Sequence, residues 1–232
     1  MPILQFPDPR ETGPEGVVAA GGDLHPDSLR LAYGQGIFPW PHEGLPLLWF
    51  CPPVRAILDF SRLHVGRRLD RIRRASDLTF TIDHAFERVI AGCRHARRPG
   101  QAGTWITPGM ERAYVRLHRD GDAHSVEAWD ENGALVGGMY GVDAGGAFGG
   151  ESMFHTQPNA SKLALLFLVD HLRERGADFL DIQMLTPHME ALGAVEIARD
   201  EFLERLRAAQ SRGLTLFDPP VDGPKPAAVP SR

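Results

Sequence analysis

The sequence has few of the features that would place it in a membrane, in an oxidising compartment or around a metal. Its 232 residues include only two cysteines, Cys51 and Cys93, far apart and in unrelated contexts, which form no zinc-type or redox-type pair. No uninterrupted apolar run approaches the ~18 residues that span a bilayer. The N-terminal segment has no basic stretch leading into an apolar one with a small-residue cleavage site. A cytoplasmic protein with no membrane segment is expected. His118, His124, His155, His171 and His188 lack the helical spacing with acidic partners that holds a metal, so neither metal nor cofactor is expected. There is no internal repeat. What remains is ordinary globular material, 43% hydrophobic and 24% charged, enough for real cores in one large domain or in a small one joined to a medium one.

The net charge of −5 argues against wholesale coating of a nucleic acid, but the charge is unevenly placed. Arg62, Arg67, Arg68, Arg71, Arg73 and Arg74 crowd one short segment relieved only by Asp70, and Arg94, Arg97 and Arg98 follow. Such a run is either a solvated helix face or a surface for phosphates.

Composition also changes along the chain. The first 55 or so residues are dense in glycine, proline and aromatics, as in Gly36-Ile37-Phe38-Pro39-Trp40 and Leu48-Trp49-Phe50-Cys51-Pro52-Pro53, which predicts a small irregular domain over residues 1–60. One helix is expected there, from about Pro26 to Tyr33, with Asp27 or Ser28 near its start. Residues 61–217 alternate helix and strand signals and read as an α+β domain. Asp83 is placed to cap a helix reaching Cys93, and Thr107-Pro108 opens another. Two turn clusters, Asp130-Glu131-Asn132-Gly133 and Asp143-Ala144-Gly145-Gly146, join three strands into an antiparallel meander. An apolar helix follows from about Asn159 to Arg175. The proline-rich residues 218–232 read as a mobile tail.

The segment Phe179-Leu180-Asp181-Ile182-Gln183 carries an acid and an amide on one face of a strand. Either it is an edge strand with a wet face, or it is central and both groups need partners or substrate, because an unpaired buried polar group costs roughly 1–3 kcal/mol. Glu151 follows two strand glycines, the mark of a bulge or of a ligand approaching the backbone; it is a candidate cation binder or a surface acid beside a hairpin. Trp49 and Trp105, in turn-rich contexts, suit either core packing or stacking on a base.

Read in order, GIFPW, GTWITP, AHSVEAW, LVGGMYGV, GESMF, NASK, LDIQMLTPH and LGA resemble the bacterial leucyl/phenylalanyl-tRNA-protein transferase family, over about Gly16 to Leu206. The resemblance implies a small N-terminal domain followed by an N-acetyltransferase-like (GNAT) domain with a mixed, largely antiparallel sheet. It implies transfer of Leu or Phe, with Met as a further donor, from aminoacyl-tRNA to proteins beginning with Arg or Lys, marking them for degradation by the N-end rule pathway. By the same resemblance Asp181 and Gln183 are the catalytic pair and Glu151 binds the acceptor's positive N-terminal residue. Met139, Phe148, Leu168, Leu172 and Ile182 line the aminoacyl pocket. Trp49 and Trp105 lie near the tRNA 3′ end, while Arg67, Arg68, Arg71 and Arg74 hold its backbone. A monomer is expected.

The chain departs from the family pattern at Phe50, where a second tryptophan is common, at Cys51-Pro52-Pro53-Val54-Arg55, at Ile182 and at Leu168. A coenzyme-A-dependent acetyltransferase on the same fold is the rival enzyme. After Phe154 it would need spaced glycines before a helix, where the chain has His155-Thr156-Gln157-Pro158-Asn159-Ala160. A non-catalytic RNA-binding module is the rival of another class, and it has no use for Glu151, Asp181 and Gln183.

Overall fold

A computed structural model describes residues 1–96, 104–218 and 229–230. The chain first builds a three-stranded antiparallel sheet, in the order β1 (Val17–Ala20), β3 (Leu48–Phe50), β2 (Phe38–Trp40), with helix α1 (Pro26–Gly34) inserted between β1 and β2. Proline at the first helical position favours α1 here. Asp27 and Ser28 lie in its first turn as expected, and its cap is His25, whose Nδ1 accepts from the Asp27 N–H at 3.2 Å.

The chain then enters an eight-stranded sheet. Its strands are β4 (Val54–Asp59), β5 (Thr79–Ile82), β6 (Ala123–Trp129), β7 (Leu135–Asp143), β8 (Phe148–His155), β9 (Phe179–Gln183), β10 (Val195–Ala198) and β11 (Val229–Pro230). They lie in the order β10-β4-β9-β8-β7-β6-β5-β11, antiparallel at every neighbour except β8 and β9, which run parallel. The mixed, largely antiparallel sheet expected from the sequence is therefore present, and β6, β7 and β8 form the predicted meander. The crossing from small to large sheet falls between Phe50 and Val54; the predicted join near residue 60 lies beyond β4, whose residues 55–58 are buried in the large sheet. Of the predicted tail, residues 219–228 and 231–232 lie outside the described residues, as do Arg97 and Arg98, while Val229 and Pro230 pair with Phe80 and Thr79.

Alternation along the strands splits the core in two. One face packs against α3 (Phe86–His95) and α4 (Pro108–Arg119), through Val89, Ile90, Met110, Tyr114 and Tyr140. The other packs against α5 (Ala160–Glu174), through Leu163, Leu166, Val169, Met139 and Leu180. The short α6 (Pro187–Ala191) follows β9, and α7 (Arg199–Ser211) returns beside the small unit, with Phe202, Leu203 and Leu206 in its core. Thr107 caps α4 as expected, its Oγ1 accepting from the Met110 N–H at 3.2 Å. Asp83 does not cap α3. It has φ 62° and its carboxylate turns to the Ser125 N–H and to His124, while buried Glu127 of β6 accepts from the His84 and Ala85 N–H groups at the helix start.

Candidate active site

The acid-and-amide strand β9 is central, between β4 and β8, so the wet-edge alternative is excluded. Asp181 and Gln183 are both buried. The partner that makes the acid tolerable is Arg55 of β4, itself 1% exposed. Its Nε donates to Asp181 Oδ1 at 2.8 Å and its Nη2 to Oδ2 at 2.7 Å, a two-point pairing that only a guanidinium supplies. Its Nη1 donates to the Gly36 carbonyl at 3.2 Å, and its guanidinium carbon lies over the rings of Phe38 and Phe202, 4.7 and 4.4 Å from their centroids. Sequence reading missed Arg55. The signal that could have found it is a cation in an otherwise apolar strand, Arg55-Ala56-Ile57-Leu58, matching an acid in another.

Gln183 ends β9 in an unusual backbone. Its φ is 55°, and the Met184 N–H donates to the Ile182 carbonyl at 2.6 Å, which makes Gln183 the centre of a γ-turn of the strained hand. Such a conformation costs of order 1–3 kcal/mol and persists where the surroundings fix it. Here the Gln183 N–H donates to Asp181 Oδ1 at 3.0 Å, and its side-chain Nε2 donates to Glu151 Oε1 at 3.1 Å.

Glu151 reaches that amide because it is the extra residue of a bulge. In the β7–β8 ladder Tyr140 faces Ser152 and Gly141 faces Gly150, leaving Glu151 unpaired. A bulge re-aims the side chain it carries. Across the ladder the two backbones run close at the bulge, and glycine at 141 permits it: a Cβ there would fall 2.2 Å from the Gly149 carbonyl oxygen. Tyr114 of α4 donates to Glu151 Oε2 at 3.3 Å, and the Tyr114 hydroxyl shares a hydrogen bond with Tyr33 of α1. Burial pushes the Glu151 carboxyl up to about 7, with Asp181 adding to the rise and Tyr33, Arg55 and Tyr114 opposing it. Both tyrosines are pushed well above the phenol range, chiefly by burial, and serve as donors.

The strands then part. Parallel pairing of β8 and β9 covers Phe148 with Leu180 and Gly149 with Asp181, and it ends there. Beyond that point a cavity of about 320 Å³ opens, with Gly150, Glu151, Ser152 and Met153 of β8 on one side and Leu180, Ile182 and Gln183 of β9 on the other. Phe38, Pro39 and Trp40 of the small unit form a further wall, together with Trp105, Leu165, Met184, Thr186, His188 and Met189. Four of the six methionines, Met139, Met153, Met184 and Met189, line it, a soft lining that fits more than one apolar shape.

The predicted pocket residues divide. Met139 and Ile182 line the cavity. Phe148, Leu168 and Leu172 are buried in the core that α5 shares with the sheet and are absent from the wall, where Leu165 stands instead. Positions 165, 168 and 172 share one face of α5, and of the three only Leu165 reaches the opening. Trp105 lines the cavity and Trp49 does not. The Trp49 ring is 0% exposed, packs edge-on against Phe6 at 5.0 Å and donates to the Gly21 carbonyl at 2.9 Å, so no face is open to a base. Trp40, nine residues earlier, is the tryptophan of the small unit that faces the cavity.

Arg67, Arg68, Arg71 and Arg74 lie on the exposed side of α2 (Arg67–Arg74), whose Leu69 and Ile72 pack on the core. Arg74 pairs with Asp70; Arg67, Arg68 and Arg71 have no acidic partner among the described residues. Arg67, Asp70, Arg71, Arg74 and Ala75 border a shallow concavity.

The sequence matches the family model described as leucyl/phenylalanyl-tRNA protein transferase over residues 57–207, and the model of that transferase's N-terminal domain over residues 22–53. The leucyl/phenylalanyl-tRNA–protein transferase of Maridesulfovibrio salexigens is 50% identical over 204 residues, 88% of this chain and 85% of the relative. That of Anaeromyxobacter dehalogenans strain 2CP-C is 52% identical over 215 residues, 90% and 92% of the two chains. In three dimensions the crystal structure of FemX superposes with a TM-score of 0.51 at 12% identity, over 74% of this chain and 66% of that one, a likeness of fold alone.

Proposed function

The chain belongs to the leucyl/phenylalanyl-tRNA protein transferase family, and from that premise we propose that it moves Leu or Phe, with Met as a further donor, from aminoacyl-tRNA onto proteins that begin with Arg or Lys. The observation that carries this reading is the cluster at the parting of β8 and β9, where Gln183 and Glu151, bonded to each other, open onto an apolar cavity. The donor's side chain needs a dry pocket, and an apolar one separates ligands by only ~1–3 kcal/mol per methylene, which suits a pocket serving Leu, Phe and Met alike. The acceptor's N-terminal cation needs a withdrawn carboxylate, and Glu151 is the only acid in the wall among the described residues.

In this reading Gln183 orients the amine against the ester carbonyl and Asp181 holds Gln183. The terminal adenosine lies against Trp105 and Trp40, and the α2 arginines take the tRNA backbone. The large body is read as a GNAT-like fold working as a cytoplasmic monomer without a cofactor, and the product is marked for degradation by the N-end rule pathway. The test incubates the purified protein with radiolabelled leucyl-tRNA and peptides beginning with Arg or Ala. Label is expected on the Arg peptide; equal or absent labelling of the two would sink the reading.

A further inference from the structure

We propose that Glu151 accepts the proton released by the acceptor's α-ammonium, and that Asp181, locked to Arg55, is a positioning residue that takes no proton. This rests on the transferase reading and assigns the acid–base chemistry within that same site.

An amine must be neutral to attack an ester, and the acceptor arrives as an ammonium. Two carboxylates stand near Gln183. Asp181 is committed: Oδ1 accepts from Arg55 Nε and from the Gln183 N–H, Oδ2 accepts from Arg55 Nη2, and the residue is absent from the cavity wall. Glu151 is in the wall, on the residue that the bulge turns out of the ladder. Its two oxygens are held by Gln183 Nε2 and the Tyr114 hydroxyl, neutral donors that orient it while leaving lone pairs for an incoming N–H.

The groups facing it are Tyr33 from α1, Tyr114 from α4, Arg55 from β4, and Asp181 and Gln183 from β9. Their balance against burial leaves the carboxyl at about 7, close to the ~7.7–8.0 of an α-amine, so a proton passes between them at little cost. His188 is the other titratable group in the wall; burial, and then Lys162, push it down, which makes it the weaker base.

The step balances as follows. One ammonium proton moves to Glu151, and the freed lone pair forms the N–C bond at the ester carbonyl. The bond from that carbon to the ribose oxygen breaks, and the oxygen leaves with the surplus proton of the attacking nitrogen. Glu151 then releases its proton to water.

The test compares two peptides with the same N-terminal Arg side chain. One carries the normal α-amine, the other an aminooxy group in its place, which is neutral throughout the neutral pH range and needs no deprotonation. Glu151→Gln is expected to slow transfer to the amine peptide on the order of 10²–10⁴-fold more than transfer to the aminooxy peptide, whose smaller loss reports only the pairing of Glu151 with the N-terminal Arg. Equal losses on the two peptides would make Glu151 a binding group only and overturn the proposal. So would an amine-selective loss in Asp181→Asn or His188→Gln. Wild-type protein inactive on both peptides would instead sink the transferase reading. Tyr114→Phe supplies a second readout. Because the Tyr114 hydrogen bond lowers the Glu151 pKa, its loss should move the rising limb of kcat/KM to higher pH, and a limb that stays in place under a lower plateau would count against the proposal.

Discussion

The two carboxylates that flank Gln183, buried Asp181 and half-buried Glu151, are treated in opposite ways, and their energetics should differ accordingly. Asp181 has a cation at two-point contact, so removing either partner leaves an uncompensated buried charge. Arg55→Met and Asp181→Leu should each destabilise the fold by ~3–5 kcal/mol, while the double variant, an apolar pair of similar bulk, should lose far less than the sum. Urea unfolding of the three variants checks this, and additive losses would show that the pairing is not what Arg55 contributes. Glu151 is the reverse case. Its folded pKa is raised from 4.5 to about 7, so its favourable term is complete below about pH 4.5 and is lost as pH climbs through about 7. Glu151→Gln removes that loss. The variant should gain stability relative to wild type between pH 5 and pH 8 while losing activity, a trade that marks a functional group. Unfolding midpoints at the two pH values decide it, and a gap that does not widen with pH would argue against a raised pKa.

At the level of elements, the sequence made the periodic features legible and hid those that depend on pairing across the fold. The Thr107-Pro108 cap, the meander and the apolar α5 follow from local turn and period signals, and the glycines before Glu151 announced the bulge that aims it. The γ-turn at Gln183 has no local signature, since no glycine or asparagine marks the positive φ. Arg55 lies 126 positions from Asp181, and Trp49 could be assigned to the core only once β3 was seen lying between β1 and β2. The basic helix α2 is the element whose role is set by charge alone. If its exposed arginines meet phosphates, each arginine removed in Arg67→Ala or Arg71→Ala should lower the slope of log affinity against log salt by ~0.7–0.9. Binding of leucyl-tRNA by anisotropy across a salt series measures that slope, and an unchanged slope would return α2 to being a solvated face.

For the whole molecule, the site exists only where the small sheet, the large sheet and α7 meet, and Gly36 is the residue at that junction. It has φ 75°, and a Cβ there would fall 2.7 Å from Leu203 Cδ2 and 2.9 Å from Phe202 Cε1. Phe202 is one of the two rings enclosing Arg55, and the Gly36 carbonyl takes Arg55's third donor. Just beyond Gly36 the chain runs into Phe38 and Trp40 of the cavity wall. Gly36→Ala therefore strains the backbone by roughly 1 kcal/mol through its positive φ and also pushes α7 off Arg55. Adding Leu203→Ala makes room for part of that push but leaves the backbone strain. The single variant should lose both stability and transfer rate. Relative to Leu203→Ala alone, the double variant should lose less of each than Gly36→Ala loses relative to wild type. Urea unfolding paired with single-turnover transfer reads the two quantities. If the rate falls while stability holds, the junction acts on the site alone; if Gly36→Ala leaves both unchanged, the two sheets meet without the coupling that Arg55, Phe202 and Gly36 describe.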